Sequence, residues 1–258
     1  MNINDMNFNN DRFSLKFLEW DTGFFGVNSA KLVLKNEIFN KDIESIENQI
    51  SLNGYEFVTV VNVNNNAHNN RLIYRLGDVF LADVNVQFEK CINVMELECG
   101  ENFGVNEDEG KVVVSNNVSF NGDILGISQD EFKYSRFFVD RNLINSNNVY
   151  LEWTRNSFGR EDKFFACYEE ENRVDGFVIF SFGDKMDTLI IELIAVRSEV
   201  QGNGIGSSLL SGIEVYASRN LVHSIRVGTQ LDNIRAQNFY IKNGFKHIYN
   251  NSIYHLWR

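Results

Sequence analysis

Apolar residues along the chain fall into short compact runs and alternations, interrupted by stretches of helical periodicity, which together predict a mixed α/β protein. Phe13 to Glu19, Ala30 to Leu34, Phe57 to Val63 and Val79 to Phe88 have the length and side-chain type of strands. Ile43 to Ile50 and His68 to Arg75 have helical spacing. Farther on, Tyr134 to Phe158 predicts one or two helices, and Lys163–Tyr168 with Arg173–Phe182 predicts a hairpin across Glu169–Asn172. The sharpest change of period comes next. Thr188 to Val196 is an apolar run broken by one carboxylate, Glu192, whereas Ile205, Leu209, Leu210, Ile213 and Tyr216 recur at three- and four-residue steps. A strand therefore opens into an amphipathic helix, and only a short turn holding Gly202, Gly204 and Gly206 separates them. Ser224 to Gln230 predicts the next strand, Asp232-Asn233 a helix start, Gly244 a helix end and Ser252 to Arg258 a closing strand. The expected fold is α/β of the α+β type: a mixed, mostly antiparallel sheet flanked by helices. The acidic stretch from Gly100 to Gly110 predicts a surface linker, so we expect an N-terminal α/β subdomain over 1–125 and a second domain over 126–258.

Composition narrows the classes. A chain of 258 residues with 43% hydrophobic and 13% aromatic content can bury a sizeable core, so its many asparagines predict loops rather than disorder. Proline is absent, which leaves turns to Gly, Asn and Asp. A net charge of −11 argues against a general nucleic-acid binder, and any polyanion must meet local positive potential. Cys91, Cys99 and Cys167 have neither even number nor metal-ligand spacing, so no disulfide framework or metal site is expected. Residues 1–7 have no basic or apolar leader pattern, and no run approaches membrane-spanning length. A cytoplasmic protein is the expectation.

The glycine turn carries the chemistry. A helix start presents unpaired N–H groups and a positive dipole end, and glycines let backbone approach an anion without a Cβ in the way. An ordinary strand-to-helix turn is the alternative. The spacing of Gly202, Gly204 and Gly206 is neither the dinucleotide G-x-G-x-x-G nor a P-loop. Gln201-Gly202-Asn203-Gly204-Ile205-Gly206 instead resembles the pyrophosphate loop of the GNAT superfamily of acyl-CoA-dependent N-acyltransferases, which reads Arg/Gln-x-x-Gly-x-Gly/Ala. Downstream, Asn233 through Phe245 resembles that superfamily's Asn-x-x-Ala-x-x-Phe/Leu-Tyr-x-x-x-Gly-Phe signature. The resemblance implies a GNAT fold over 126–258, and the N-terminal subdomain could be a degenerate GNAT-like half. It also implies acyl-CoA as co-substrate.

Four further segments resemble the dTDP-fucosamine acetyltransferase family of GNAT enzymes: Leu18 to Gly26, Ser135 to Asp140, Tyr150 to Ser157 and Tyr254 to Trp257. That likeness implies N-acylation of a dTDP-linked amino-dideoxyhexose for surface polysaccharide such as O-antigen or lipopolysaccharide. It nominates Arg136, Asp140, Asn156 and Ser157 for the sugar-nucleotide side. A GNAT acting on a peptide or small-molecule amine, and a non-catalytic CoA-binding scaffold, are the competing readings. A homodimer through a sheet edge is plausible.

Acyl transfer from a thioester to an amine needs a held thioester, a stabilised oxyanion, a proton acceptor for the amine and a proton for the departing thiolate. Gln201 through Ser207 are the candidates for the pyrophosphate. Backbone amides of Leu193, Ile194, Ala195 and Val196 would polarise the thioester carbonyl if the strand splays; a fully paired strand is the alternative. Tyr240 is either core packing or, as the resemblance implies, the general acid. Glu192 is either the base, directly or through water, or the partner of Arg226 on the next strand. Asn233, Ala236, Asn238 and Phe239 are candidates to contact the CoA arm, with helix capping the alternative for Asn233. His68, His223 and His247 show no ligand spacing, and His255 is undecided.

Overall fold

A computed structural model describes residues 7–94, 111–116, 118–132 and 135–258; the expected linker at 100–110 and Cys99 lie outside these residues. The first half runs β1 (Phe8–Asn9), β2 (Phe13–Phe17), α1 (Glu19–Phe25), β3 (Ser29–Leu34), α2 (Asn40–Asn53), β4 (Phe57–Asn62), α3 (Ala67–Ile73) and β5 (Asp78–Cys91). After β6 (Val112–Ser115) come α4 (Gly122–Glu131), α5 (Val149–Ser157), β7 (Phe164–Glu170), β8 (Arg173–Phe182), β9 (Thr188–Val196), α6 (Ile205–Arg219), β10 (Ser224–Gln230), α7 (Ile234–Lys242) and β11 (Lys246–Trp257). The first predicted strand stops at Phe17, and Glu19 opens α1 instead of ending β2. The hairpin turn is tighter than expected: Glu171 and Asn172 both have positive φ, the two-residue geometry that follows the twist of the flanking strands.

All strands among the described residues join one 11-stranded sheet in the order β1-β2-β3-β4-β11-β5-β10-β9-β8-β7-β6. Pairing is antiparallel except for β3 with β4 and β9 with β10. The two halves repeat one plan. An antiparallel pair leads through a crossover helix to a parallel strand, then a short helix and a long strand: β2-β3-α2-β4-α3-β5 in the first half, β8-β9-α6-β10-α7-β11 in the second. The long final strands are exchanged. β11 pairs with β4 of the first half, β5 pairs with β10 of the second, and the two pair with each other along the middle of the sheet.

Alternation along the strands sorts the helices onto two faces. On one, α2 packs over Phe13, Leu15, Leu32, Val58 and Leu256, and α6 packs over Ile191, Val227, Val86 and Phe88. On the other, α4 and α5 cover Phe177, Leu193 and Ala195, while Phe25 of α1 packs with Phe57, Phe137 and Trp257. Close seating of α6 requires Gly176, where a Cβ would lie 3.1 Å from Ile205, Leu209 and Val196. Among the described residues, no helix is long and apolar enough to cross a membrane.

Candidate active site

β9 and β10 pair only from Thr188–Ser224 to Ile191–Val227, although both continue, to Val196 and Gln230. On its other edge β9 stays paired to β8 as far as Val196, with a register shift that leaves Glu192 without an opposite residue. A bulge strengthens twist and bends its strand. β9 thus leaves β10, and a cleft of about 420 Å³ opens between them. The corresponding strands of the first half, β3 and β4, pair along all six residues and stay closed. Past Ile191, the edge of β9 that faces the cleft has backbone groups with no strand partner among the described residues.

The start of α6 forms one end of the cleft. Gly202 and Gly204 have φ of +87° and +86°, and a Cβ on either would meet nothing within 4 Å. Their requirement is conformational, and the space above them is open. No side chain caps α6, and the first bond closing its opening turn runs from Ser208 N–H to Gly204 O at 3.0 Å. The preceding N–H groups, with the positive end of a 15-residue helix behind them, suit an anion such as a diphosphate.

The cleft brings together Glu192, Leu193, Ile194, Ala195, Val196, Gln201, Gly202, Gly204, Ile205, Gly206, Ser207, Asn233, Ala236, Phe239 and Tyr240. Asn203 and Asn238 are exposed and do not border it. Asn233 also caps α7, its side-chain oxygen accepting from Ala236 N–H at 3.1 Å. Gln201 is a brace. It donates to Val196 O at 2.7 Å and to Glu131 at 2.9 Å, and accepts from Arg235 at 2.6 Å.

Tyr240 is 3% exposed, its ring packed against Phe88, Phe239 and Phe245 at 5.5–5.8 Å between centroids. Its hydroxyl makes no hydrogen bond among the described residues, yet the residue borders the cleft. Burial pushes the phenol above its ordinary value, so near neutral pH it stays protonated and has a proton to give.

Glu192 does not pair with Arg226, which instead holds Glu89 at 2.7 Å. The Glu192 carboxylate accepts from Lys163, from Ser181 at 2.6 Å and from Trp153 at 3.3 Å. That fills three of about four acceptor positions and leaves one for water.

None of the four residues nominated for the sugar nucleotide borders the cleft. Asp140 is buried and accepts from His255 at 2.7 Å and Trp257 at 3.0 Å. Desolvation alone would raise its carboxyl, but the bonds from His255 and Trp257 outweigh that and hold it below its usual range. Ser157 donates to Trp153 O at 2.9 Å, and exposed Asn156 to Glu152 O at 2.7 Å. Arg136 is half-buried over the Phe137 ring, 4.2 Å from its centroid. The structure adds residues that the motifs did not indicate: Glu131, Phe132, Tyr150, Gln230 and Arg235 border the cleft. Gln230 donates to the Tyr150 hydroxyl at 3.3 Å. Their signal was weak, because each comes from an element end that meets the cleft only after folding.

Residues 127–245 match the model of the acetyltransferase (GNAT) family. The spore coat polysaccharide biosynthesis protein SpsD of Bacillus subtilis is 29% identical over 136 residues, 52% of this chain and 46% of that protein. The match thus spans less than half of that relative's length. Among solved structures, a conserved protein of Staphylococcus epidermidis shares 18% identity at a TM-score of 0.62, over 96% of this chain and 91% of that one. A GCN5-related N-acetyltransferase of Sphaerobacter thermophilus shares 11% identity at 0.58, over 95% and 76%. These structures share the fold.

Proposed function

We propose, from the match of residues 127–245 to the acetyltransferase (GNAT) family model, that this chain moves an acyl group from acyl-CoA to the amine of a dTDP-linked amino-dideoxyhexose, both substrates being bound at once. The observation that carries the acyl-CoA part is the parting of β9 from β10 beside an uncapped glycine turn, with the Tyr240 hydroxyl free at its wall. The acceptor rests on the four sequence segments resembling amino-sugar acyltransferases and on the polysaccharide role in the name of SpsD. An activity in the cytoplasm and a homodimer belong to the same reading, as does a division near residue 125 into a supporting half and a catalytic half. O-antigen or lipopolysaccharide synthesis is the expected setting.

Acyl-CoA, when bound, supplies the thioester; the remaining work falls to this chain. N–H groups from Gly202 to Ser207 hold the diphosphate, and Gln201 keeps the turn in place through Val196, Glu131 and Arg235. The unpaired edge of β9 from Leu193 to Val196 offers backbone groups to the acyl-bearing arm, and an N–H aimed at the developing oxyanion lowers the barrier. Asn233, Ala236 and Phe239 line the same arm from α7. On the α4/α5 side, Tyr150 and Gln230 face the incoming amine. A water on the open acceptor position of Glu192 takes the amine proton and passes one of its own to the carboxylate, while Tyr240 O–H gives its proton to the departing sulfur. A thiol-release assay with acetyl-CoA and a panel of amino-sugar nucleotides, peptides and small amines tests this. Turnover confined to the sugar nucleotides is expected. Turnover only with peptides or small amines refutes the acceptor, and none with any amine favours a scaffold.

A further inference from the structure

The face of the sheet that carries α1, α4 and α5 holds a row of polar residues that the cleft does not use. Strand register sets Lys16 opposite Lys31, Lys31 beside Thr59, Thr59 opposite His255 and His255 opposite Phe80. Their chain neighbours Leu15, Leu32, Val58, Tyr254 and Leu256 enter the core on the other face. Like charges directly opposite on antiparallel strands destabilise the pair. Carboxylates are plentiful in a chain of net charge −11, yet no ion pair joins Lys16, Lys31 or Arg136 to one among the described residues.

Arg136 lies over this row. Its Nε is buried without a hydrogen-bond partner, as are Nε2 of His255 and Oγ1 of Thr59. Asp21, Lys31, Asp83 and His255 all feel its charge. Desolvation first, and then Arg136, holds the Lys31 ammonium below its usual range. Desolvation raises the carboxyls of both Asp21 and Asp83, against the lowering effect of Arg136 on each. A half-buried guanidinium whose Nε has no hydrogen-bond partner is unfavourable unless an acceptor completes it. The row also adjoins the cleft. Gln230 sits opposite Asn85, Leu231 N–H bonds Val84 O at 2.9 Å, and Asp83 is the next residue along β5.

We infer that Arg136, Lys31 and Lys16 form an anion shelf that takes the diphosphate of a nucleotide-linked acceptor, whose sugar amine then reaches past Gln230 into the cleft. This rests on the sugar-nucleotide reading above. The planar guanidinium suits two phosphate oxygens at once, and the lysines supply point charges beside it.

Calorimetry on protein saturated with coenzyme A, so that the glycine turn is filled, tests the shelf with inorganic pyrophosphate and with dTDP. One equivalent of each should bind. Arg136→Gln should weaken both at least about tenfold, and Lys31→Gln about threefold, with coenzyme A affinity unchanged as the control for folding. No uptake of pyrophosphate, or affinities within twofold of wild type in Arg136→Gln, overturns the shelf. Acylation of an amino-sugar nucleotide with an unchanged KM in Arg136→Gln overturns the shelf and leaves the acceptor standing. Arg136-dependent pyrophosphate binding with no acylation of any sugar nucleotide supports the shelf and removes the acceptor.

Discussion

Replacing Tyr240 with Phe separates a catalytic hydroxyl from a packing ring. The ring contacts with Phe88, Phe239 and Phe245 survive the change. The hydroxyl has no hydrogen-bond partner among the described residues, so its removal leaves no group unsatisfied. Stability should therefore move by no more than about 0.5 kcal/mol, a shift of about 2 °C in Tm for a chain of this size. Loss of a positioned proton donor costs about 10²- to 10³-fold in kcat, or roughly 3–4 kcal/mol of barrier. Thermal melts, coenzyme A calorimetry and thiol-release kinetics on one preparation give all three numbers. A kcat within threefold of wild type refutes the acid role, and so does a loss matched by a similar loss of stability or coenzyme A affinity. The pH dependence follows from burial. Because the folded protein holds this proton more tightly than the unfolded chain, Tyr240 leaves stability unchanged below the ordinary phenol value of about 10 and lowers it above. Deprotonation of Tyr240 should produce no alkaline fall in kcat below that pH.

Gly204→Ala places a Cβ at φ of +86° with no atom within 4 Å to clash. The strain alone should remove about 1–2 kcal/mol of stability and weaken coenzyme A at least about fivefold; an unchanged calorimetric Kd would refute the turn as the diphosphate seat. Glu192→Gln leaves Lys163, whose side chain is 15% exposed, without its counter-charge. It should lower stability by about 1–2 kcal/mol and kcat by about 10²-fold, while Glu192→Gln with Lys163→Met recovers stability but not kcat. Full activity in the double variant would remove Glu192 from proton transfer. Asp83 is raised from 3.8 to about 6, chiefly by desolvation. Its contribution is fully present below pH 4 and lost as pH rises through 6. Asp83→Asn should flatten the pH 4–6 stability profile and raise stability at pH 7 by about 1–2 kcal/mol, after discounting for its partial exposure. Urea unfolding at pH 4, 5, 6 and 7 checks it.

Local chemistry wrote the C-terminal third of the fold plainly into the sequence. The step from a compact apolar run to a 3.6-residue period between Val196 and Ile205, with two glycines between, is a consequence of backbone geometry and needs no tertiary context. Sheet order was not legible in this way. Ser252 to Arg258 alternates well enough for a strand, but no property of those residues says that β11 starts at Lys246 or lies between β4 and β5. α4 went unread because its apolar face is short, although Asn121, which accepts from Asp123 and Ile124 N–H, is a good cap. Glu192 shows the same limit inside the site. A carboxylate in an apolar run announces a buried partner, but Lys163 sits 29 positions away and only β7–β8–β9 pairing brings it near. Tyr150 and Gln230 meet across 80 positions, beyond any periodicity.

The exchange of the two long strands also sets an order of assembly. A nascent chain leaving the ribosome presents β4 and β5 long before residues 246–257 exist, so each keeps an open edge until then. Neither half can complete its own layer before residues 246–257 are made. Such delayed closure of non-local pairs slows folding and exposes sticky edges, which makes chaperone dependence and low yield at high expression rates the expected behaviour of this chain.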